Sequence, residues 1–558
     1  MPASRASKES LVDLLGIAVL WAVCVLAVNP VGNFPLNDDW SFGIAVERLL
    51  DTGVFRPTGW TSMSLLTNVL WGGIFSVPFG FSFNALRAST LSLSLIGILS
   101  TYLLMKELRQ TRYLSILCAL VVGFGPIYFA LSNTFMTDVP FTALVTLCAV
   151  FFLRCLRSDS VSACWIGAVI AVAATLSRQL GLFVPLAFGL AYLLKNGLSG
   201  RSLLVSIAPV AVCLVALLML RQWLALTDGT PALFGHASDQ LIVAAFAPRV
   251  INFLVKNGLV GIMYMGLLLS PILIPVLFEN ERLRSNRRLL LFAAIAIVVI
   301  SAIRYKFTGD LLMPLAGNIV DRAGIGPLTL HDAFFLNAGN VPVLPAEFWL
   351  IVTLISMLGA VVLLTIFLLA AGDVIAALRS RRESPHDFVL TFFLLCCIAY
   401  LVPIFIAGFF DRYLIAVMPF LAATTVLVLK PAAGDHSGLL PRLLSGALLV
   451  SLAFFAVSGT KDYLSWNRAR WEALAYLSNV KKIAPQDVDG GFEFNGLLFY
   501  DPNYQRTEGK SWWWVRGDHY RIGFGPTPGY KIIKEYEYSR WLLPGVGRVV
   551  ILQSALLD

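Results

Sequence analysis

Two adjacent carboxylates, Asp38 and Asp39, stand in the run Asn37-Asp38-Asp39-Trp40, a short way beyond the first long apolar stretch of the chain. Beside such a stretch an acidic pair stays in water, binds a cation or shifts its pKa values. Further polar residues recur at the ends of other apolar stretches. Asp138 lies in Thr137-Asp138-Val139-Pro140, Arg178 in Ser177-Arg178-Gln179, Arg304 and Lys306 close one span, and Asp411-Arg412-Tyr413 separates two more. A carboxylate can take the proton of a reacting hydroxyl. A guanidinium offers planar, multi-donor contacts to phosphate.

The elements that position these residues follow from composition. The chain has 558 residues, of which 58% are hydrophobic and only 13% charged, against about 25% charged in soluble domains. Apolar runs of roughly 17 to 25 residues recur, each long enough to cross a hydrocarbon core. The sequence therefore predicts a polytopic α-helical membrane protein of about 13 spans: 11–28, 84–105, 113–131, 137–155, 162–177, 179–194, 202–223, 257–278, 287–303, 347–371, 387–408, 412–429 and 440–458. The eight cysteines fall in or beside these spans, which gives no disulfide framework and no zinc pattern. The net charge of +9 calls for no nucleic-acid partner, because its Lys and Arg cluster in short loops.

Those loops set an orientation. Lys106/Arg109/Arg112, Arg154/Arg157, Lys195/Arg201, Arg282/Arg284/Arg287/Arg288, Arg379/Arg381/Arg382 and Lys430/Arg442 share the cytoplasmic side by the positive-inside rule, as do Arg5 and Lys8 before an uncleaved first span. Residues 63–81 are apolar, but counting them as a crossing would invert every later loop. They also hold Gly72, Gly73 and Pro78. They read as an interfacial or re-entrant helix within one long external loop, 29–83. The predicted organisation is a membrane domain, 1–458, and a small external α/β domain, 459–558. Strand-like runs at Tyr520–Phe524, Tyr530–Tyr538 and Arg548–Leu552 are separated there by Gly/Pro turns. The N-terminus is expected inside and the C-terminus outside.

On that topology Asp38, Asp39, Asp138, Arg178, Arg304, Lys306, Asp411 and Arg412 meet at one membrane face. The set suits transfer of a sugar from a lipid-linked phosphate, which needs a base for an acceptor hydroxyl and cations for the departing phosphate. Each residue also has a plainer reading. Asp38-Asp39 suits a solvated turn, Asp138 a helix cap, and Arg178 and Arg412 suit anchors at span ends. Asp411 and Arg412 can pair with each other. Glu493 suits a strand end, the five histidines are scattered, and Trp512-Trp513-Trp514 reads as interfacial packing ahead of a sugar-stacking surface.

These motifs, in this order and on one face, resemble the GT-C superfamily of membrane glycosyltransferases, in the family of protein O-mannosyltransferases and bacterial lipid A aminoarabinose transferases. The likeness covers roughly residues 10 to 430. It rests on the acidic pair, the Thr-Asp-x-Pro segment, the Arg-Gln turn and Asp-Arg-Tyr-Leu before Pro419. It implies a polyprenyl-phosphate (undecaprenyl-type) sugar donor, inversion at the anomeric carbon, Asp38 as general base, and Asp39 and Asp138 as further acidic positions. Arg178 and Arg412, with Lys306, become contacts for the donor phosphate. The family pair is usually Asp-Glu, so Asp39 reaches one methylene less far. A divalent cation at Asp39 and Asp138 is left open. The implied setting is the periplasmic face of a bacterial inner membrane, with an envelope lipid, glycan or protein as acceptor. The rivals are a polysaccharide polymerase or ligase, and a lipid flippase or secondary transporter.

Overall fold

A computed structural model describes residues 2–380, 384–429 and 438–557. Arg381, Arg382, Lys430 and His436 lie outside the described residues. Every one of the thirteen predicted spans falls on a helix or a broken helix. Among the described residues eleven helices are long and apolar enough to cross a membrane, from Glu9–Val28 to Leu439–Val480. The pair Arg112–Gly123 and Pro126–Ser132, bent by 62°, makes a twelfth if the two count as one broken span. Its break is at Gly125-Pro126, where Pro removes a helical donor. Val161–Ser177, predicted as a span, is a shorter apolar helix of 17 residues, so the described residues carry eleven or twelve spans by length and composition rather than thirteen. This is a multi-pass helical membrane protein.

Charge sorts the two ends of the bundle. The helix Asp138–Ser158, roughly 32 Å long by helical rise, carries Asp138 at one end and Arg154 towards the other. At the Arg154 end the basic loops are tied to acidic partners: Arg112 to Asp13 at 2.5 Å, Arg154 to Glu107 at 2.7 Å, Lys195 to Asp159 at 2.8 Å and Arg282 to Asp373 at 2.5 Å. Asp38, Asp138, Arg178 and Arg412 gather at the opposite end.

That end is roofed by three pieces. The first loop holds helices Asp39–Thr52 and Leu66–Ser76. The second of these, at 11 residues, spans only about 16 Å and is too short to cross. The loop 309–345 contains a two-stranded ribbon, Val320–Asp321 with Gly324–Ile325, and a helical turn at His331–Phe334. The third piece follows the last span. The predicted boundary at 458/459 lies inside the unbroken helix Leu439–Ala475, which delivers the chain into a four-stranded sheet. Its order is Val488–Asp489, Tyr520–Gly523, Gly545–Ser554, Tyr530–Arg540, parallel only in the first pairing. Arg521 pairs with Leu552. Val549, Val550, Ile551 and Leu552 of the long central strand are all buried, so both faces of the strand are covered over that stretch.

Candidate active site

The loop after the first span is held from below. Arg87, buried on helix Phe83–Glu107, donates to the carbonyls of Pro30, Gly32 and Phe34, and Asn84 accepts from the Gly32 N–H at 2.7 Å. The loop ends at Asn37, whose φ of +57° lies in the left-handed region that Asn tolerates. The Asn37 N–H donates to the Glu493 carboxylate at 2.9 Å. Asp38 follows at the mouth of helix Asp39–Thr52 without a side-chain capping bond. Instead it accepts from the Trp60 indole N–H at 2.9 Å and from the Arg412 guanidinium at 3.1 Å. The pair is largely enclosed, with the Asp38 side chain 15% and Arg412 9% exposed. Both line a cavity of about 820 Å³ with Asn37, Trp60, Asn318 and Trp512.

The neighbouring carboxylate turns away. Asp39 is buried, and its Oδ2 accepts from the backbone N–H groups of Phe135 at 2.9 Å and Leu36 at 3.4 Å. Burial pushes its pKa up to about 7, against the Phe135 hydrogen bond and the nearby Arg87 charge. Asp39 does not line the cavity, so it ties the loop to the turn before helix Asp138–Ser158.

Behind the cavity wall lies a second ion pair. Arg178, at the extended turn after Val161–Ser177, bonds Asp138 at the start of the neighbouring helix. Its guanidinium sits 4.9 Å from the Tyr413 ring centre, and that of Arg412 sits 5.6 Å from the same ring. Tyr413 lines the cavity, and its carbonyl accepts from the Tyr400 hydroxyl at 2.7 Å. Arg178 and Asp138 thus brace the ring on which Arg412 rests, one layer back from the cavity. Asp411 and Arg412 do not pair with each other. The Asp411 carboxylate accepts from the N–H groups of Ile319 at 3.1 Å and Val320 at 2.8 Å, fixing the segment that carries Asn318 and Asp321.

Lys306 is not brought to this site. It lies exposed in the last turn of helix Arg287–Thr308 and does not line the cavity. Among the described residues Arg412 is the one cation that lines the cavity. A divalent cation has no ready cage: among the described residues no group of three or more His, Cys, Asp or Glu could hold one. Asp138 is already bonded to Arg178, and Asp39 accepts two backbone N–H groups on its Oδ2.

The residues that the sequence left without a role are Trp60, Asn318, Asp321, Tyr413 and Glu493. Glu493 is wholly buried and bonds Arg470 at 2.7 Å and the Thr329 hydroxyl at 2.7 Å besides Asn37. It rides on helix Phe492–Phe499, which opens at Gly491 with φ +87°. A Cβ at Gly491 would collide with the Thr329 carbonyl, so a glycine is required there. The tryptophan run folds inward. Trp512 and Trp513 line the cavity, and Trp514 packs edge-on against Trp40 and Trp60 at 5.4 and 5.3 Å.

Residues 69–225 match the family model described as dolichyl-phosphate-mannose-protein mannosyltransferase. That stretch includes Asp138 and Arg178 and leaves Asp38 and Arg412 outside it. Two solved structures of ArnT from Cupriavidus metallidurans are similar in outline. The apo state is 14% identical, with a TM-score of 0.37 over 86% of this chain and 81% of that one. The form bound to undecaprenyl phosphate is 13% identical, with a TM-score of 0.38 over 97% of this chain and 99% of that one. No curated protein matches.

Proposed function

For a membrane protein whose residues 69–225 match a mannosyltransferase family, we propose a glycosyltransferase of the GT-C type that takes its sugar from a polyprenyl-phosphate donor. The observation that carries the proposal is the Asp38–Arg412 pair on the wall of the roofed cavity. One side chain accepts a proton, the other neutralises a phosphate, and they lie 3.1 Å apart. Asp38 takes the proton of an acceptor hydroxyl as its oxygen attacks the anomeric carbon. The bond from that carbon to the phosphate oxygen breaks, and its electron pair leaves with the polyprenyl phosphate. Arg412, steadied over Tyr413 by the Arg178–Asp138 pair behind, holds the charge that develops there. A single base and a single displacement give inversion.

The lipid donor accounts for a site at the end of a helix bundle, where a polyprenyl tail remains in the bilayer and the phosphosugar reaches the roofed cavity. The basic loops at the far end of the bundle support a cavity on the periplasmic side of a bacterial inner membrane, by the positive-inside rule. In the test, purified protein is given radiolabelled polyprenyl-phosphate sugars with envelope fractions. Asp38→Asn is expected to lower transfer at least about a hundredfold, the scale of a lost general base, with the fold unchanged. Near-normal turnover by that variant would sink the assignment. Tracer crossing proteoliposomes with no covalent product would point to a flippase instead.

A further inference from the structure

The cavity that holds Asp38 has a second chemical character, set by aromatic rings and by amides without partners. Trp60, Trp512, Trp513 and Phe492 all line it. Trp60 and Trp512 lie nearly parallel, at 24° with centres 6.2 Å apart. A buried bed of Trp40 and Trp514 supports Trp60 from behind. Trp512 keeps 40% of its surface exposed. Tryptophans anchored at a membrane interface turn their indole N–H to water or headgroups. The Trp60 N–H is instead committed to Asp38, which joins the aromatic wall to the reacting centre.

The polar lining complements those rings. The Asn37 side-chain nitrogen and the Asn318 side-chain oxygen are buried atoms of cavity-lining residues, and neither has a hydrogen-bond partner in the protein. Asn37 as a whole is only 7% exposed. An unpartnered buried amide is costly unless a ligand or water completes it. One donor and one acceptor beside a flat ring match a pyranose, whose C–H face packs on indole while its hydroxyls both give and accept hydrogen bonds.

Charge narrows the class further. Among the described residues that line it, Arg412 is the one cation, while Asp38 and Asp321 are both acidic. With Arg412 holding the donor phosphate, nothing in the lining is left to neutralise a phosphate or carboxylate on the acceptor. Like charge would repel such a group. We propose that the acceptor is a neutral saccharide, its ring stacked on Trp512 and its hydroxyls held by Asn37 and Asn318, with the attacking hydroxyl delivered to Asp38. The assignment rests on the reading of Asp38 as the base.

The test uses the full-length protein with radiolabelled polyprenyl-phosphate sugars. The envelope is separated into neutral glycans, phosphorylated lipids and glycans, and protein. Label is expected in the neutral glycans. On that fraction Trp512→Ala should raise the acceptor KM roughly three- to tenfold, the scale of one aromatic stacking contact, while kcat and the donor KM hold. Trp512→Phe should restore most of the loss. Label in phosphorylated or protein fractions would overturn the acceptor class and leave the glycosyltransferase reading standing. Label in neutral glycans with an unchanged acceptor KM for Trp512→Ala would overturn the subsite. No covalent product from any fraction would overturn the glycosyltransferase reading itself.

Discussion

Asp38 and Asp39 differ by one position and have opposite surroundings. At the start of a helix successive side chains diverge by about 100°, so one carboxylate meets the cavity and the other the packed turn at Phe135. Asp38 has charged and aromatic partners that leave it largely enclosed yet reachable. Asp39 has only backbone donors, with the Arg87 charge nearby and Asp38 opposing it. Its carboxyl is raised by burial from the ordinary 3.8 to about 7. The folded protein therefore retains a proton that the unfolded chain has lost between roughly pH 4 and pH 7. The stabilisation from Asp39 is full below the lower limit and disappears as pH rises through the upper one. The melting temperature should fall from mildly acidic to mildly alkaline buffer. Asp39→Asn, which keeps an acceptor oxygen for the Phe135 and Leu36 N–H groups, should flatten that slope. An identical slope in variant and parent would show that Asp39 is not the titrating group.

Helix Phe492–Phe499 links the C-terminal segment to this chemistry. Its Glu493 receives the Asn37 N–H beside Asp38 and the Arg470 guanidinium from helix Leu439–Ala475, and both charged side chains are 0% exposed. Removing one member of such a pair strands the other charge in the interior. Glu493→Gln should therefore cost about 3–5 kcal/mol of stability, read by thermal or denaturant unfolding of the detergent-solubilised protein. The double variant Glu493→Leu/Arg470→Met should recover much of it, and a silent Glu493→Gln would refute the account. The apolar helices and the three longer strands were legible in the sequence, because a bilayer and a pleated sheet each impose a local period on composition. The count of thirteen crossings was not, since Val161–Ser177 is a short helix and the pair Arg112–Gly123 and Pro126–Ser132 is bent by 62°. The residues Asp38, Asp138, Arg178 and Arg412 were legible as types, since charge beside an apolar span stands out. Their pairing was not, for Asp38 and Arg412 are 374 positions apart and no local pattern encodes a contact at that separation. The inward turn of Trp512 was hidden for the same reason. An exposed interfacial ring and a cavity-lining one look alike until the first loop is packed against them.

The whole molecule is polarised, with paired basic loops at one end and the roofed cavity at the other, and the proposed reaction depends on which end faces out. Both ends offer exposed positions that touch no part of the site. Ser285 lies in the basic loop before helix Arg287–Thr308, and Glu508 in the turn between helix Phe492–Phe499 and the tryptophan run. The native thiols give little background, since seven of the eight are buried and Cys24 is half-buried. Ser285→Cys and Glu508→Cys, each introduced alone, can then be treated with a membrane-impermeant maleimide. In intact spheroplasts the thiol at 508 should react and that at 285 should not. In inverted vesicles the pattern should reverse. Protection of position 508 in intact cells would turn the cavity towards the cytoplasm. The acceptor would then have to come from that compartment, even if Asp38 and Arg412 kept their roles.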